Sequence, residues 1–97
     1  MGKEPFVYIL ATGRNGTLYV GMTTNLARRM WEHRNGTAEG FTLKYQVHRL
    51  VHVERYETIA DAVTRERQVK TWKRDWKLRL IEEGNPEWRD LYEDINK

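Results

Sequence analysis

The sequence predicts one mixed α+β domain, in which a small three-stranded antiparallel sheet is flanked by helices in the order ββαβαα. Three observations support this fold class. The chain has 97 residues, enough for one domain with one modest core. It has four tryptophans, five tyrosines and two phenylalanines, whereas disordered chains are poor in aromatic residues. Apolar runs of strand type alternate with segments of helical spacing, and turn residues separate them.

The first two strands are predicted to form a hairpin. Phe6–Ala11 is an unbroken run rich in strand-forming residues. The turn after it contains Asn15-Gly16, the strongest short hairpin signal, and residues 17–21 follow as the second strand.

Three further elements complete the predicted sheet and its first helix. Leu26–Arg34 has helical spacing, with N-cap candidates before it and Asn35-Gly36 as a helix end after it. Residues 35–46 resemble a loop. Residues 47–55 alternate partly between apolar and polar side chains, which predicts the third strand.

The second half of the chain is predicted to be helical. A long pattern starts at Thr58 and runs to about Trp72, and a second helix, or a continuation of the first, runs to Glu83. Gly84-Asn85-Pro86 then breaks the helix, and a short final helix is predicted over residues 87–92.

Composition excludes several classes of site. The chain has no cysteine, which rules out disulfides, cysteine-ligated zinc, iron–sulfur clusters and thiol catalysis. There is no apolar signal segment at the start and no run approaching 18 apolar residues. We therefore expect a soluble, cytoplasmic protein that has no membrane partner.

The charge is unevenly distributed. Residues 65–79 contain seven basic and two acidic side chains, so this segment carries +5 although the whole chain carries only +3. Such a block indicates either a surface for a polyanion or an ordinary solvated helix face, and the charge alone does not choose between them.

Glu66 breaks the apolar pattern of the long helix, because it lies on the same stripe as Val63 and Val69. A carboxylate there would be paired, bind a metal or take part in catalysis. The simpler alternative is a surface ion pair with Lys70, four residues later.

Two other groups could form a polar site. Arg29 and His33 are four apart on the first helix, where a guanidinium and an imidazole could bind a phosphate and move a proton, or could be an exposed basic flank. In the hairpin, a four-residue loop would place Tyr8 opposite Gly21 and diagonal to Tyr19 at roughly 7 Å. The tyrosines could then line a pocket over the glycine, or be ordinary strand residues.

Trp72 and Trp76 are also four apart, within the basic segment. Aromatic rings among lysines and arginines could stack on nucleobases. The same spacing is typical of two core residues, and we expect the core.

These features coincide with the motifs of one family. Val7-Tyr8-Ile9 and Tyr19-Val20-Gly21 correspond to its G-I-Y and Y-I-G elements, although the first element lacks its glycine. Asn25 to His33 is similar to the family's first helix, and Ala62 to Glu66 to the helix that carries its metal-binding glutamate. Asn85 matches an asparagine found in many members. The chain therefore resembles the GIY-YIG endonuclease superfamily, in particular its small single-domain members.

The resemblance implies divalent-metal-dependent cleavage of phosphodiester bonds, in DNA repair or processing. Tyr8 or Tyr19 would activate the attacking water, with Tyr8 preferred, and Arg29 would bind the scissile phosphate. His33 would hydrogen-bond or relay the proton, and Glu66 would hold one ion, Mg²⁺ or Mn²⁺. Asn85 would orient groups at the edge of the site. The predicted contacts to nucleic acid, DNA before RNA, are basic residues: Lys44, Arg67, Lys70, Lys73, Arg74 and Lys77.

Some members have a lysine directly after the Y-I-G element, where this chain has Met22. Lys44 or Lys70 could take over such a role. A small catalytic module should show little sequence preference.

Two other functions stay open at this point: a nucleic-acid-binding module of the same fold without catalysis, and a protein-interaction domain that uses the tryptophan-rich helices and the acidic tail. The nuclease is preferred because all five key residues of the family pattern occur together. The sequence leaves the oligomeric state open.

Overall fold

A computed structural model describes residues 4–35 and 47–95. Its elements follow the predicted order, and a short helix lies at the end. They are β1 (Phe6–Ala11), β2 (Leu18–Thr23), α1 (Leu26–Arg34), β3 (Arg49–Arg55), α2 (Ile59–Thr71), α3 (Arg74–Gly84) and α4 (Tyr92–Ile95). The predicted α+β class is confirmed.

The three strands form one antiparallel sheet in the order β2-β1-β3. Thr12 N donates to Thr17 O at 3.1 Å, which leaves a four-residue loop at the tip of the hairpin. Asn15 has a φ of 58° there, a left-handed conformation that asparagine tolerates. Because the loop length is even, Tyr8 pairs with Gly21 and Leu10 with Tyr19, as the sequence predicted.

The central strand β1 is buried on both faces, since each face is covered by helices. Val7, Ile9 and Ala11 belong to the core shared with α2 and α3. Tyr8 and Leu10 point to the other face, in the core shared with α1. Because side chains alternate between the two faces of a strand, Tyr8 points toward α1.

Several element boundaries differ from the predictions. β2 extends to Thr23, because its pairing with β1 continues past Gly21. Trp72 and Lys73 have extended backbones, with ψ of 150° at each, so two separate helices form where the sequence allowed one. The break needs neither glycine nor proline.

The predicted final helix over residues 87–92 is wrong, and the helix lies at Tyr92–Ile95. Trp88 has a φ of 56°, which no helix allows. Asp90 accepts hydrogen bonds from Leu50 N and Tyr92 N, and also pairs with Arg34 of α1. These bonds fasten the segment before α4 to β3 and α1.

No helix within residues 4–35 and 47–95 has the length and apolar character needed to cross a membrane.

Candidate functional site

Tyr8 and Tyr19 lie together on the α1 side of the hairpin, with ring centroids 6.3 Å apart. The space expected above Gly21 is occupied, because the ring of Tyr8 lies across that glycine. A Cβ atom at position 21 would stand 2.5 Å from Tyr8 Oη and 2.6 Å from Cζ. Gly21 is thus required for the position of the Tyr8 phenol, and the alternative of an open pocket over this glycine is excluded by that contact.

His33 of α1 completes a cluster of three rings with these tyrosines. Its Nε2 lies 3.1 Å from Tyr8 Oη, a hydrogen bond between helix and sheet. Its centroid is 5.8 Å from that of Tyr8 and 5.7 Å from that of Tyr19, in edge-to-face geometry. We call Tyr8, Tyr19 and His33 the ring cluster.

Burial shifts the pKa values of two ring-cluster members in opposite directions. It raises the pKa of Tyr8 to about 12, against a lowering by the nearby Arg29 guanidinium. It lowers the pKa of His33 to about 4, and the positive charge of Arg29 acts in the same direction. Both groups are therefore neutral at pH 7. His33 Nδ1 is buried and has no hydrogen-bond partner within the described part of the chain.

Arg29 lies beside the ring cluster on α1, one turn before His33. Its Nη1 donates to Glu32 Oε1 at 3.1 Å, and the guanidinium also interacts with the Tyr8 hydroxyl. Glu32 was missed in the sequence, although its i,i+3 spacing from Arg29 is a recognised signal for such a pair. Glu32 and Tyr8 thus hold a cation next to the phenols.

Glu66 approaches the ring cluster from α2. Its negative charge raises the pKa of Tyr8, so the carboxylate lies within electrostatic range of that phenol. The side chain is 21% exposed, and Oε2 lies 3.5 Å from Lys70 Nζ. The ion pair with Lys70 is therefore present, and the metal-binding role of Glu66 stays a prediction.

The basic residues predicted to contact nucleic acid are placed unevenly. Lys70 and Lys77 line a groove of about 250 Å³ with Leu18, Tyr19 and Val20, next to the ring cluster. Arg67 and Lys73 are exposed. Lys44 lies outside the residues that the structure describes.

Arg74 is engaged with the hairpin turn. Its Nη2 donates to Asn15 O at 2.8 Å and to Gly16 O at 2.7 Å. Arg74 thus ties α3 to the β1–β2 turn, and its contact with phosphates stays a prediction.

Asn85 lies away from the ring cluster. It is buried, its Nδ2 donates to Val51 O and Arg89 O, and its Oδ1 accepts from Arg89 N. Both amide hydrogens are thus used by the backbone. The catalytic assignment of Asn85 is not supported, since this side chain holds the turn after α3.

A second polar network was missed in the sequence. Glu54 on β3 accepts from His52 or shares its proton at 2.8 Å, accepts from Tyr56 at 2.7 Å, and binds Arg65 of α2 through two contacts of 2.9 Å. Arg65 belongs to the basic segment of residues 65–79, but its guanidinium is paired with Glu54 within the fold. The sequence feature that could have revealed this network is the alternation of His52 and Glu54 along β3, continued by Tyr56 just after the strand.

Trp72 and Trp76 differ in burial. Trp72 packs against the core on the α2 side, whereas Trp76 is 54% exposed. Their rings touch edge to face with centroids 5.9 Å apart. The expectation that both are core residues is wrong for Trp76, because the helix break at Trp72 turns α3 outward there.

The pKa of His33 predicts a loss of stability on mild acidification. The unfolded chain takes up a proton near pH 6.5, whereas folded His33 resists protonation down to about pH 4, so the unfolded state binds more protons between these values. Stability should fall by about 2 kcal/mol from pH 7 to pH 5. Urea unfolding at both pH values measures this.

His33→Gln should abolish most of this pH dependence, whereas His48→Gln, at an exposed histidine, should keep it. Burial alone would raise the pKa of Glu54, but its bonds to His52, Arg65 and Tyr56 hold it far below the ordinary value. Its contribution is therefore lost only at more acidic pH, below about 4.5. An equal slope in wild type and His33→Gln between pH 7 and 5 would contradict the assignment.

Comparisons with known proteins identify the family and agree with the fold. The family model of the GIY-YIG catalytic domain matches residues 4–79. A UPF0213 protein of Staphylococcus saprophyticus is 34% identical over 79 residues, which are 81% of this chain and 95% of the relative. A UPF0213 protein of Natronomonas pharaonis is 37% identical over 81 residues, 84% of this chain and 94% of the relative. The solution NMR structure of a UPF0213 protein from Bacillus halodurans superimposes with a TM-score of 0.52 at 30% identity, over 81% of this chain and 83% of that one.

Proposed function

Because the chain belongs to the GIY-YIG catalytic-domain family, we propose that it is a divalent-metal-dependent endonuclease that hydrolyses phosphodiester bonds, with DNA as its substrate. One observation carries this proposal. Arg29 and His33 both contact the phenol of Tyr8, and the charge of Glu66 acts on the same phenol. A cation and a proton-accepting imidazole thus interact with one phenol, and the charge of a carboxylate acts on it.

The donor set at Glu66 fits a hard divalent cation. Mg²⁺ commonly takes one or two carboxylates in proteins and fills its other positions with waters and substrate phosphates. Within residues 4–35 and 47–95 no group of three or more metal-ligating side chains is present, so an all-protein cage is not formed there. Glu66 would hold the ion in exchange for its ion pair with Lys70, and Mn²⁺ suits the same oxygen ligand.

Each residue has a defined task in the proposed reaction. Bound at Glu66, the cation supplies positive charge to the phosphate oxygens. Arg29 binds a non-bridging oxygen and stabilises the negative charge that gathers on it in the transition state. Tyr8 Oη accepts the proton of the attacking water as it passes its own proton to His33 Nε2, 3.1 Å away.

The pKa values of Tyr8 and His33 define which protonation equilibria the bound substrate must shift. With a pKa of about 12, Tyr8 is protonated in the free protein and must give up its own proton to accept one, and His33 is a weak proton acceptor. Arg29 favours the phenolate, as a cation held at Glu66 would, and the negative phosphate favours the imidazolium. The substrate phosphate would therefore make the proton transfer from Tyr8 to His33 more favourable.

Binding is assigned to the lysines beside the ring cluster. Lys70 and Lys77 line the groove that includes Tyr19, and Arg67 and Lys73 extend the basic surface. Such contacts to phosphates carry no sequence information. We infer weak sequence preference and a role in DNA repair or processing, where structure rather than sequence selects the substrate.

The proposal is tested by incubating the protein with nicked, branched and single-stranded DNA and with RNA, plus Mg²⁺ or Mn²⁺. We expect cleavage of DNA that EDTA abolishes, and Glu66→Ala should lower the rate at least roughly 100-fold. Asp61→Ala is the matched control, because Asp61 is the other acidic residue of α2 and is exposed.

Equal cleavage by wild type and Glu66→Ala would overturn the nuclease proposal. Binding that is lost at high salt without any cleavage would instead indicate the non-catalytic module.

A further inference from the structure

An exposed aromatic patch lies on α3 outside the ring cluster. Trp72, Trp76, Arg79, Leu80 and Glu83 line a cavity of about 180 Å³. The Trp76 side chain is 54% exposed, a large apolar area to leave in water. We call these five residues the tryptophan patch.

The patch is held in place from below. Trp72 packs against the core on the α2 side, and the guanidinium of Arg65 lies 4.9 Å from its ring centroid. Arg65 is itself fixed by two contacts of 2.9 Å to Glu54. Trp76 rests edge to face on Trp72, so a ring that stacks on Trp76 meets a preorganised surface.

The charge around the patch selects its occupant. Residues 70–79 contain five basic side chains against one acidic one, although Glu83 lines the cavity itself. A ligand that suits this surface combines flat aromatic rings with repeated negative charge. Single-stranded nucleic acid has both, because each unpaired base offers a free face and each nucleotide carries a phosphate.

The patch is linked to the ring cluster by lysines. Lys77 follows Trp76 in α3 and lines the groove that also contains Tyr19 and Lys70. Tyr19 belongs to the ring cluster. A strand whose phosphates follow the groove would therefore pass from the ring cluster toward the tryptophan patch.

We infer that the tryptophan patch stacks an unpaired nucleobase of the substrate strand, next to phosphates held by Lys73 and Lys77. The inference rests on the proposed nuclease function and narrows its substrate class to DNA with a single-stranded segment beside the scissile bond. Paired bases are stacked on each other and expose only their edges in the grooves, so an intact duplex cannot use the patch.

The test compares two ligands and two matched tryptophans. Fluorescence anisotropy measures binding of a labelled oligothymidine, free or annealed to oligodeoxyadenosine, in EDTA. Trp76→Ala should weaken binding of the single strand roughly 10-fold and leave the duplex within about 2-fold. Trp31→Ala is the control, because Trp31 is 52% exposed but lies on α1. Trp76→Phe should restore most of the affinity, since it keeps an aromatic face.

Two results would overturn the inference: no effect of Trp76→Ala on the single strand, or an equal effect on strand and duplex. A changed sedimentation coefficient in Trp76→Ala with unchanged single-strand affinity would also overturn it, and would mark the patch as a contact between copies of the chain. Circular dichroism checks that each variant is folded.

The nuclease proposal is judged separately by cleavage with Mg²⁺. Wild type that binds the single strand through Trp76 but cleaves nothing contradicts the nuclease and keeps the patch. Wild type that cleaves while Trp76→Ala binds and cleaves all substrates equally well contradicts the patch alone.

Discussion

Replacing Arg29 with alanine is expected to lower the rate of metal-dependent cleavage roughly 100- to 1,000-fold, because the transition state loses a cation aimed at its developing charge. Glu32 and Tyr8 hold this guanidinium beside the ring cluster. Removing it leaves the phosphate without a fixed partner while the fold keeps its core. Single-turnover cleavage at saturating protein measures the chemical step apart from binding.

Arg28→Ala is the matched control for this prediction. Arg28 is the preceding residue of α1, its side chain is 75% exposed, and it also pairs with Glu32, at 3.4 Å. It has the same charge as Arg29 and shares the partner Glu32, but its side chain is far more exposed. The rate for Arg28→Ala should stay within about 3-fold of wild type. If the cleavage rate falls by the same factor in both variants, Arg29 contributes only to the overall electrostatic field of the protein.

Replacing Gly21 with alanine should damage stability and catalysis together. The new methyl group would stand 2.5 Å from Tyr8 Oη, and the Tyr8 ring is only 1% exposed, so it has no free space into which to move. We expect a loss of about 1–3 kcal/mol in the free energy of unfolding. A displaced phenol also loses its hydrogen bond to His33, and a misplacement of about 1 Å lowers the cleavage rate roughly 100-fold.

Two comparisons separate this clash from a general effect of losing a glycine. Gly13→Ala, in the turn of the same hairpin, should change stability by less than about 0.5 kcal/mol, because nothing lies within 4 Å of the added atom. In a Tyr8→Leu background the obstacle is gone, so adding Gly21→Ala should cost less stability than in wild type. Full additivity of the two substitutions would contradict the proposed contact.

The elements with local signals were predictable from the sequence. The hairpin register follows from its turn, because a four-residue loop places Tyr8 opposite Gly21. The bounds of α1 match the prediction at both ends, since Asn25 caps its start and Asn35 its end. The family motifs then identified the members of the ring cluster.

Long-range contacts could not be predicted, because spacing along a chain does not reveal a partner on another element. The fate of Arg65 depends on which face of β3 carries Glu54, and that face depends on a register shift opposite Ile9 and Leu10. Asn85 was expected in the site only by resemblance, and its hydrogen bonds to Val51 and Arg89 depend on the turn around Trp88, which the sequence does not reveal. Trp76 lies outside the core because the helix breaks at Trp72 and Lys73, where no glycine or proline indicates a break.

The bond between Arg74 and the hairpin turn has a consequence for where the strand is cut. It joins α3, with its stacking surface, to the hairpin that carries the two phenols, so the span between them is set by the fold. If the last unpaired base is held at one end, the backbone reaches the other end after a constant number of nucleotides. The protein would then cut at a fixed number of nucleotides from a junction, whatever the sequence of the bases between them.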